Sequence, residues 1–370
     1  MDFNPSRDQQ LLAATAREFL KKHCPPEVAQ RLALEGRGLD AALWRQIAEL
    51  GWPGLLIPAE LGGSDGSLLE VALLMEELGR AALPGPFVAS AVVATSLLLA
   101  AGTREQQQKW LPAMATGESI VTLALLEDEG VWDPDAVALA ATIPGRLRGR
   151  KLFVADAHLA DALLVAVREQ VGVSLVLIES ERAGVGARPL SALSGDALFE
   201  VTFDDVAIGP GDRLGAAGDG AGALAEALRA GALARTAEMV GAAQQIMELA
   251  VEHAKTRVQG GKPIGGHQAI QHACADIVRD VDGARGLLYA AAWAMSEGLT
   301  TAAVSTAKAY AGEACLAVAR RAHQIFGAIG YCEEHPLHLL HKRIQAAGLE
   351  YGDGPEHLEV VARSIGLEAY

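Results

Sequence analysis

The order of textures along this chain predicts an α+β multidomain fold: an N-terminal helical domain, a central antiparallel β-domain and a C-terminal four-helix-bundle domain. Three observations predict it. Apolar residues recur at the helical period through the first part of the chain. Short β-rich runs broken by Gly, Pro and Asp follow. Long Ala-rich helical stretches then return from Gly220 onward. Strands and helices do not alternate, and neither GxGxxG nor a P-loop is present, so a Rossmann-type arrangement is excluded.

Each element has a local reason. In "SRDQQLLAATAREFLKKHC" Ser6 is the cap, and Leu12, Ala16, Phe19 and Leu20 share one face. "DAALWRQIAELG" repeats the device and stops at Gly51. "LLEVALLMEELGRAAL" runs to the Pro84-Gly85-Pro86 break, and "FVASAVVATSLLLAA" reads as a buried helix, too short to span a membrane. "SIVTLALLE", "KLFVADA", "DALLVAVRE", "VSLVLIE" and "LFEVTFDDV" are the strands. Three long helices follow, from Ala221 to Arg257, from His267 to Glu297 and from Thr301 to Phe326. The expected domains are 1–117, 118–215 and 216–370.

With 370 residues, 51% hydrophobic and 21% charged, the chain is globular and long enough for several domains. A net charge of -15 leaves no basic stripe for nucleic acid, although a small phosphorylated ligand needs only a few cations. Cys24, Cys274, Cys315 and Cys332 are far apart, with no CxxC pair and no metal-ligand spacing, so reduced thiols, a cytoplasmic location and no metal are expected. The polar start "MDFNPSRDQQ" is unlike a signal peptide.

Several stretches, in order, resemble the acyl-CoA dehydrogenase family of flavoenzymes over nearly the whole chain. They are "GWPGLLIPAELGGSDGS", "EELGRAALPGPF", "AAGTREQQQKWLPAMATGE", "GRKLFVADAHLADALLVA", "RVQGGKPIGGHQAIQHACADI" and "HQIFGAIGYCEEHPL". The resemblance implies FAD as cofactor, an acyl-CoA thioester as substrate and an electron-transfer flavoprotein or similar acceptor as partner. It also implies a homo- or hetero-tetramer and a role in lipid or steroid catabolism. The implied reaction removes a proton α to the thioester carbonyl with a carboxylate while hydride leaves the β carbon for the flavin.

By the same resemblance, Arg257 and Gln268 match residues that reach a neighbour's FAD, and Gly327 and Gly330 match glycines beside its pyrophosphate. Gly352 matches the glycine of the loop that carries the base in many members. The bland alternative is an Arg favouring a helix end and glycines that only bend loops. Gly260 stands where the family has Phe, and Ala328 where it has Gly. On the flavin-facing side, Leu126 replaces a threonine, Asp128 a proline, Phe153 a tryptophan and Ala155 a hydroxyl residue. At least two side-chain bonds to flavin are thereby missing, each worth ~1 kcal/mol.

Laid on the family's base loop, "LEYGDGPEHLEVVAR" places Tyr351 at the base, and a neutral phenol is a poor proton acceptor. Glu350 is adjacent, and Glu356 suits the first turn of the next helix. A few members carry the base on the long helix, where Gly231 stands here. Two carboxylates remain as candidate bases, Glu238 and Glu350, and Arg235 can pair with Glu238 one turn away. His335, His338, His341 and His357 read as helix-surface or interface residues. Three readings stay open: a heteromeric dehydrogenase subunit whose partner supplies the base, a homotetramer with a displaced base (Glu238 or Glu350), and a flavin-free acyl-CoA-binding or assembly protein.

Overall fold

The structure, a computed structural model, describes residues 5–36, 38–299 and 302–367. The chain packs as two compact units. One is formed by Met1–Arg31, Leu68–Leu83 and Ala232–Tyr370, the other by Leu32–Ser67 and Pro84–Gly231. The N-terminal helices are α1 (Arg7–His23), α2 (Pro26–Glu35), α3 (Ala41–Glu49), α4 (Leu68–Arg80), α5 (Thr95–Ala101) and α6 (Arg104–Ala115). The strands are β1 (Val121–Ala124), β2 (Gly145–Ala155), β3 (Ala162–Glu169), β4 (Gly172–Glu179), β5 (Val185–Leu190), β6 (Leu198–Ile208) and β7 (Arg213–Leu214). Then come α7 (Gly220–Thr256), a short hairpin of β8 (Val258–Gln259) and β9 (Lys262–Pro263), α8 (Gln268–Ser296), α9 (Ala302–Phe326), α10 (Leu337–Leu349) and α11 (Gly354–Ser364). Thr301, the expected start of the third long helix, lies outside the described residues, as do Met1–Asn4 of the polar N-terminus.

Local chemistry sets these boundaries. Ser6 caps α1 through a capping box with Gln9, Asp40 caps α3, and Gly51 adopts φ 75 just beyond α3. Phe87–Ala94 is a π-helical segment running into α5, and all eight of its residues are buried, as expected where a helix is apolar on every side.

Strands β1-β3-β4-β7 form one sheet and β2-β6-β5 another. The expectation of an antiparallel β-domain is corrected among the strands at β1, which pairs with β3 in parallel, Val121 opposite Ala162. Between them the chain detours through β2 in the other sheet, so it re-enters beside β1 in the same direction.

In the other unit, the C-terminal part of the chain has more helices than the expected four-helix bundle, because α10 and α11 pack on α9 beside the long helices. Two glycines bring α4 and α7 into backbone contact. A Cβ on Gly79 would lie 2.2 Å from the Glu238 carbonyl, and one on Gly241 would lie 1.9 Å from that of Glu76. Glu238 is thus locked in depth before its side chain makes any contact.

The candidate active site and cofactor arm

Glu238 projects from α7 into a space only 2% exposed. Its Oε2 accepts from Arg235 Nη1 at 2.5 Å, and its Oε1 accepts from Arg343 Nε of α10 at 2.7 Å and also from Nη2. Arg235 turns its other edge to Glu350, with Nε 2.8 Å from Oε2. Arg235 and Arg343 are themselves 7% and 4% exposed. Two carboxylates and two guanidiniums therefore close a charge-balanced cluster, buried except at Glu350. Such bonds are about twice as strong as neutral ones, and both Glu238 oxygens are already occupied as acceptors.

Loop 350–352 joins α10 to α11. Tyr351 is buried and holds φ 58, a left-handed backbone unusual for an aromatic residue. Lys308 of α9, 1% exposed, places Nζ 2.7 Å from the Ala347 and Glu350 carbonyls and 3.1 Å from that of Gly352. His357 of α11 places Nε2 3.1 Å from the Tyr351 carbonyl and Nδ1 3.0 Å from Ser305 Oγ. This corrects the reading of His357 as a surface residue. It lies on the inner face of α11, and burial with the nearby Lys308 charge pushes it down to about 4, so it is neutral near pH 7. His341 is also withdrawn from solvent, its Nδ1 3.0 Å from His323 Nε2. Glu356 completes a capping box with Asp353 at the start of α11.

The residues matched to the cofactor arm are differently placed. Arg257 follows the last turn of α7, is exposed, and makes no side-chain hydrogen bond or ion pair among the described residues. Gln268 opens α8 and is likewise exposed. The β8–β9 hairpin lies between them in sequence and turns at Gly260 and Gly261, with φ 61 and 79. A two-residue turn with both φ positive favours Gly-Gly, which explains glycine at position 260 from the backbone alone. Gly327 has φ 65 and nothing within 4 Å of where a Cβ would sit. Gly330 is buried, and a Cβ there would meet Phe326 Cβ at 2.9 Å and Leu337 Cδ2 at 3.2 Å. At Gly352, φ is 99 and a Cβ would meet His357 Nε2 at 2.9 Å. Packing within the chain thus accounts for glycine at 330 and 352, whereas Gly327 leaves an open backbone surface.

On the sheets, Leu126 is buried and its carbonyl accepts from Leu152 N at 2.8 Å. Lys151 is fully buried, with Nζ 2.9 Å from the Leu125 carbonyl and 2.6 Å from Glu127 Oε1. Phe153 sits at φ 53 on β2 and is 48% exposed. Leu126 and Ala155 offer no polar side-chain atom. Arg257, Gln268 and Gly327 thus leave an exposed cation, an exposed amide and open backbone, whereas Leu126 and Ala155 offer no side-chain donor.

The structure brings Glu238 and Glu350 onto one guanidinium, that of Arg235. Arg343, Lys308 and His357 were missed as site residues. Two of them carried a signal: Arg343 falls in the apolar stripe of Leu339, Leu340, Ile344 and Ala347, and Lys308 in that of Val304, Ala311 and Cys315.

Comparison with known proteins gives a consistent picture. The model for the acyl-CoA dehydrogenase N-terminal domain matches residues 6–118, and that for the C-terminal domain matches 218–366. The chain is 28% identical to the acryloyl-CoA reductase (NADH) of Anaerotignum propionicum over 380 residues, covering 99% of this chain and 96% of that one. It superposes on the ChsE4-ChsE5 complex of Mycobacterium tuberculosis with a TM-score of 0.91 at 27% identity, covering 100% of both chains. It is also similar to PigA, solved with FAD and proline, with a TM-score of 0.91, 25% identity and 100% coverage of both chains. Among the described residues no helix is long and apolar enough to cross a membrane.

Proposed function

Because the chain belongs to the acyl-CoA dehydrogenase family, a family of FAD-dependent oxidoreductases, we propose that it acts in α,β-desaturation of an acyl-CoA thioester as one subunit of a heteromeric enzyme, the proton-abstracting carboxylate coming from a partner subunit. One observation carries this reading: Glu238 has both oxygens engaged by Arg235 and Arg343 in a buried cluster. Withdrawing one guanidinium to make the carboxylate a base costs about 3–5 kcal/mol. Loop 350–352 offers the phenol of Tyr351 instead of a carboxylate at the position the resemblance marks.

Bound FAD supplies the hydride acceptor. Arg257 and Gln268 would hold its pyrophosphate and adenine end, and Gly327 would let backbone approach it. The relative solved as a complex of two differently named chains, ChsE4 and ChsE5, supports a division of labour.

A second reading rests on Glu350, whose side chain keeps 19% exposure beside its bond to Arg235. In that case the enzyme is a homotetramer with a displaced base. The two readings part when the purified chain is saturated with FAD and mixed with acyl-CoA thioesters. The subunit reading expects the flavin to stay oxidised. Bleaching that disappears in Glu350→Gln would establish the second.

A further inference from the structure

Loop 350–352 has every backbone carbonyl taken by a buried basic side chain. Lys308 Nζ reaches those of Glu350 at 2.7 Å and Gly352 at 3.1 Å, and His357 Nε2 reaches that of Tyr351 at 3.1 Å. Lys308 also reaches two carbonyls at the C-terminal end of α10, Ala347 at 2.7 Å and Gly348 at 3.3 Å, which no further helical turn can satisfy. The tautomer of His357 follows from its partners. A carbonyl can only accept, so Nε2 carries the proton and Nδ1 accepts from the Ser305 hydroxyl. Ser305 and Lys308 lie one turn apart on α9, so a single helix face anchors both contacts.

We propose that Lys308 and His357 form a two-point latch on loop 350–352, and that proton exchange at Lys308 sets how firmly the latch holds. Lys308 is a positioning residue. It acts through the loop backbone, which delivers the Glu350 carboxylate to Arg235 and so reaches the Glu238 cluster. The charged groups facing its ammonium are Glu350 of the loop and Asp353 and Glu356 at the start of α11, which attract it, and Arg235 of α7, which repels it. His357 is the remaining titratable neighbour and is neutral above about pH 5, since it is held down to about 4.

The sign of the pH effect follows from burial. Desolvation pushes Lys308 down from 10.5 to about 7 while the latch is closed. Opening the loop returns the amine to water and to its ordinary value, so opening takes up a proton between those limits. Rising pH therefore opposes opening, and below about pH 7 the Lys308 contribution vanishes, leaving that of His357, which takes up its own proton on opening below its ordinary 6.5.

Hydrogen–deuterium exchange on the full-length chain from pH 7 to 9, where His357 stays neutral in both states, corrected for intrinsic rates, tests this without cofactor or partner. The reporters are the amides of Glu350, Asp353, Glu356 and His357, each hydrogen-bonded within 3.2 Å. In the wild type, their protection should rise about tenfold per pH unit from 7 to 9. In Lys308→Met the same amides should lose at least about tenfold protection and all pH dependence, while amides of α7 and α8 keep theirs. Wild-type protection that is flat across the range would overturn the latch, and that measurement decides the matter even if the variant does not fold. Wild-type protection retained in Lys308→Met would overturn it as well. Neither result bears on which subunit supplies the base.

Discussion

The Glu238 cluster and the Arg257 arm belong to the same compact unit, yet they are built on opposite terms. Around Glu238 each charge is answered and all but Glu350 are buried: Arg235 and Arg343 on one carboxylate, Arg235 again on Glu350. Along the arm, Arg257 and Gln268 stand exposed, and Gly327 leaves backbone uncovered. A saturated buried carboxylate can hold helices in place but has little left for substrate. Exposed donors contribute little to folding and keep their capacity for a ligand. The contrast separates what this chain uses on itself from what it can offer to another molecule.

Four perturbations break or sharpen that contrast. Arg343→Met removes one side of the cluster and leaves Glu238 half-answered in the interior, so denaturant unfolding should show a loss of about 3–5 kcal/mol. A loss under 1 kcal/mol would mean the cluster is solvated in solution and Glu238 is open to other work. Acid comes next. His357 is neutral in the fold down to about 4 against an ordinary 6.5. The unfolded chain binds the extra proton first, so stability is fully present above about pH 6.5 and falls toward pH 4, by up to roughly 3 kcal/mol. His357→Gln should flatten that slope in pH-dependent melting.

The arm responds to a different readout. Arg257→Ala should weaken FAD binding about tenfold in fluorescence titration while leaving unfolding within about 0.5 kcal/mol of wild type. Equal damage to stability would assign Arg257 to the scaffold. The smallest effect is a gain. Leu126→Thr offers one more hydroxyl on β-domain backbone next to Lys151, and flavin affinity should improve about fivefold, near 1 kcal/mol. No change would show that this position does not face the cofactor.

Much of the fold was legible because it rests on local signals. The Ser6 and Asp40 caps, the Gly51 stop and the three long apolar helices follow from residues close in sequence. The parallel β1–β3 pairing was not, since it depends on where the chain goes between them. At the site, the Arg235–Glu238 pair spans three positions of one helix and could be anticipated, whereas Arg343 lies 105 residues away. His357 shows why composition misleads: four histidines in one stretch suggest a polar surface, yet this one faces Ser305 and a backbone carbonyl. Gly330 and Gly352 carry the opposite lesson, because packing inside the chain already demands glycine there.

The most direct test of a partner-supplied base is anaerobic mixing of the purified, FAD-saturated chain with acyl-CoA thioesters, followed by flavin absorbance. A chain whose Glu238 is locked between two guanidiniums should leave the flavin oxidised until the partner subunit is added. Full bleaching by this chain alone, abolished by Glu238→Gln, would contradict it.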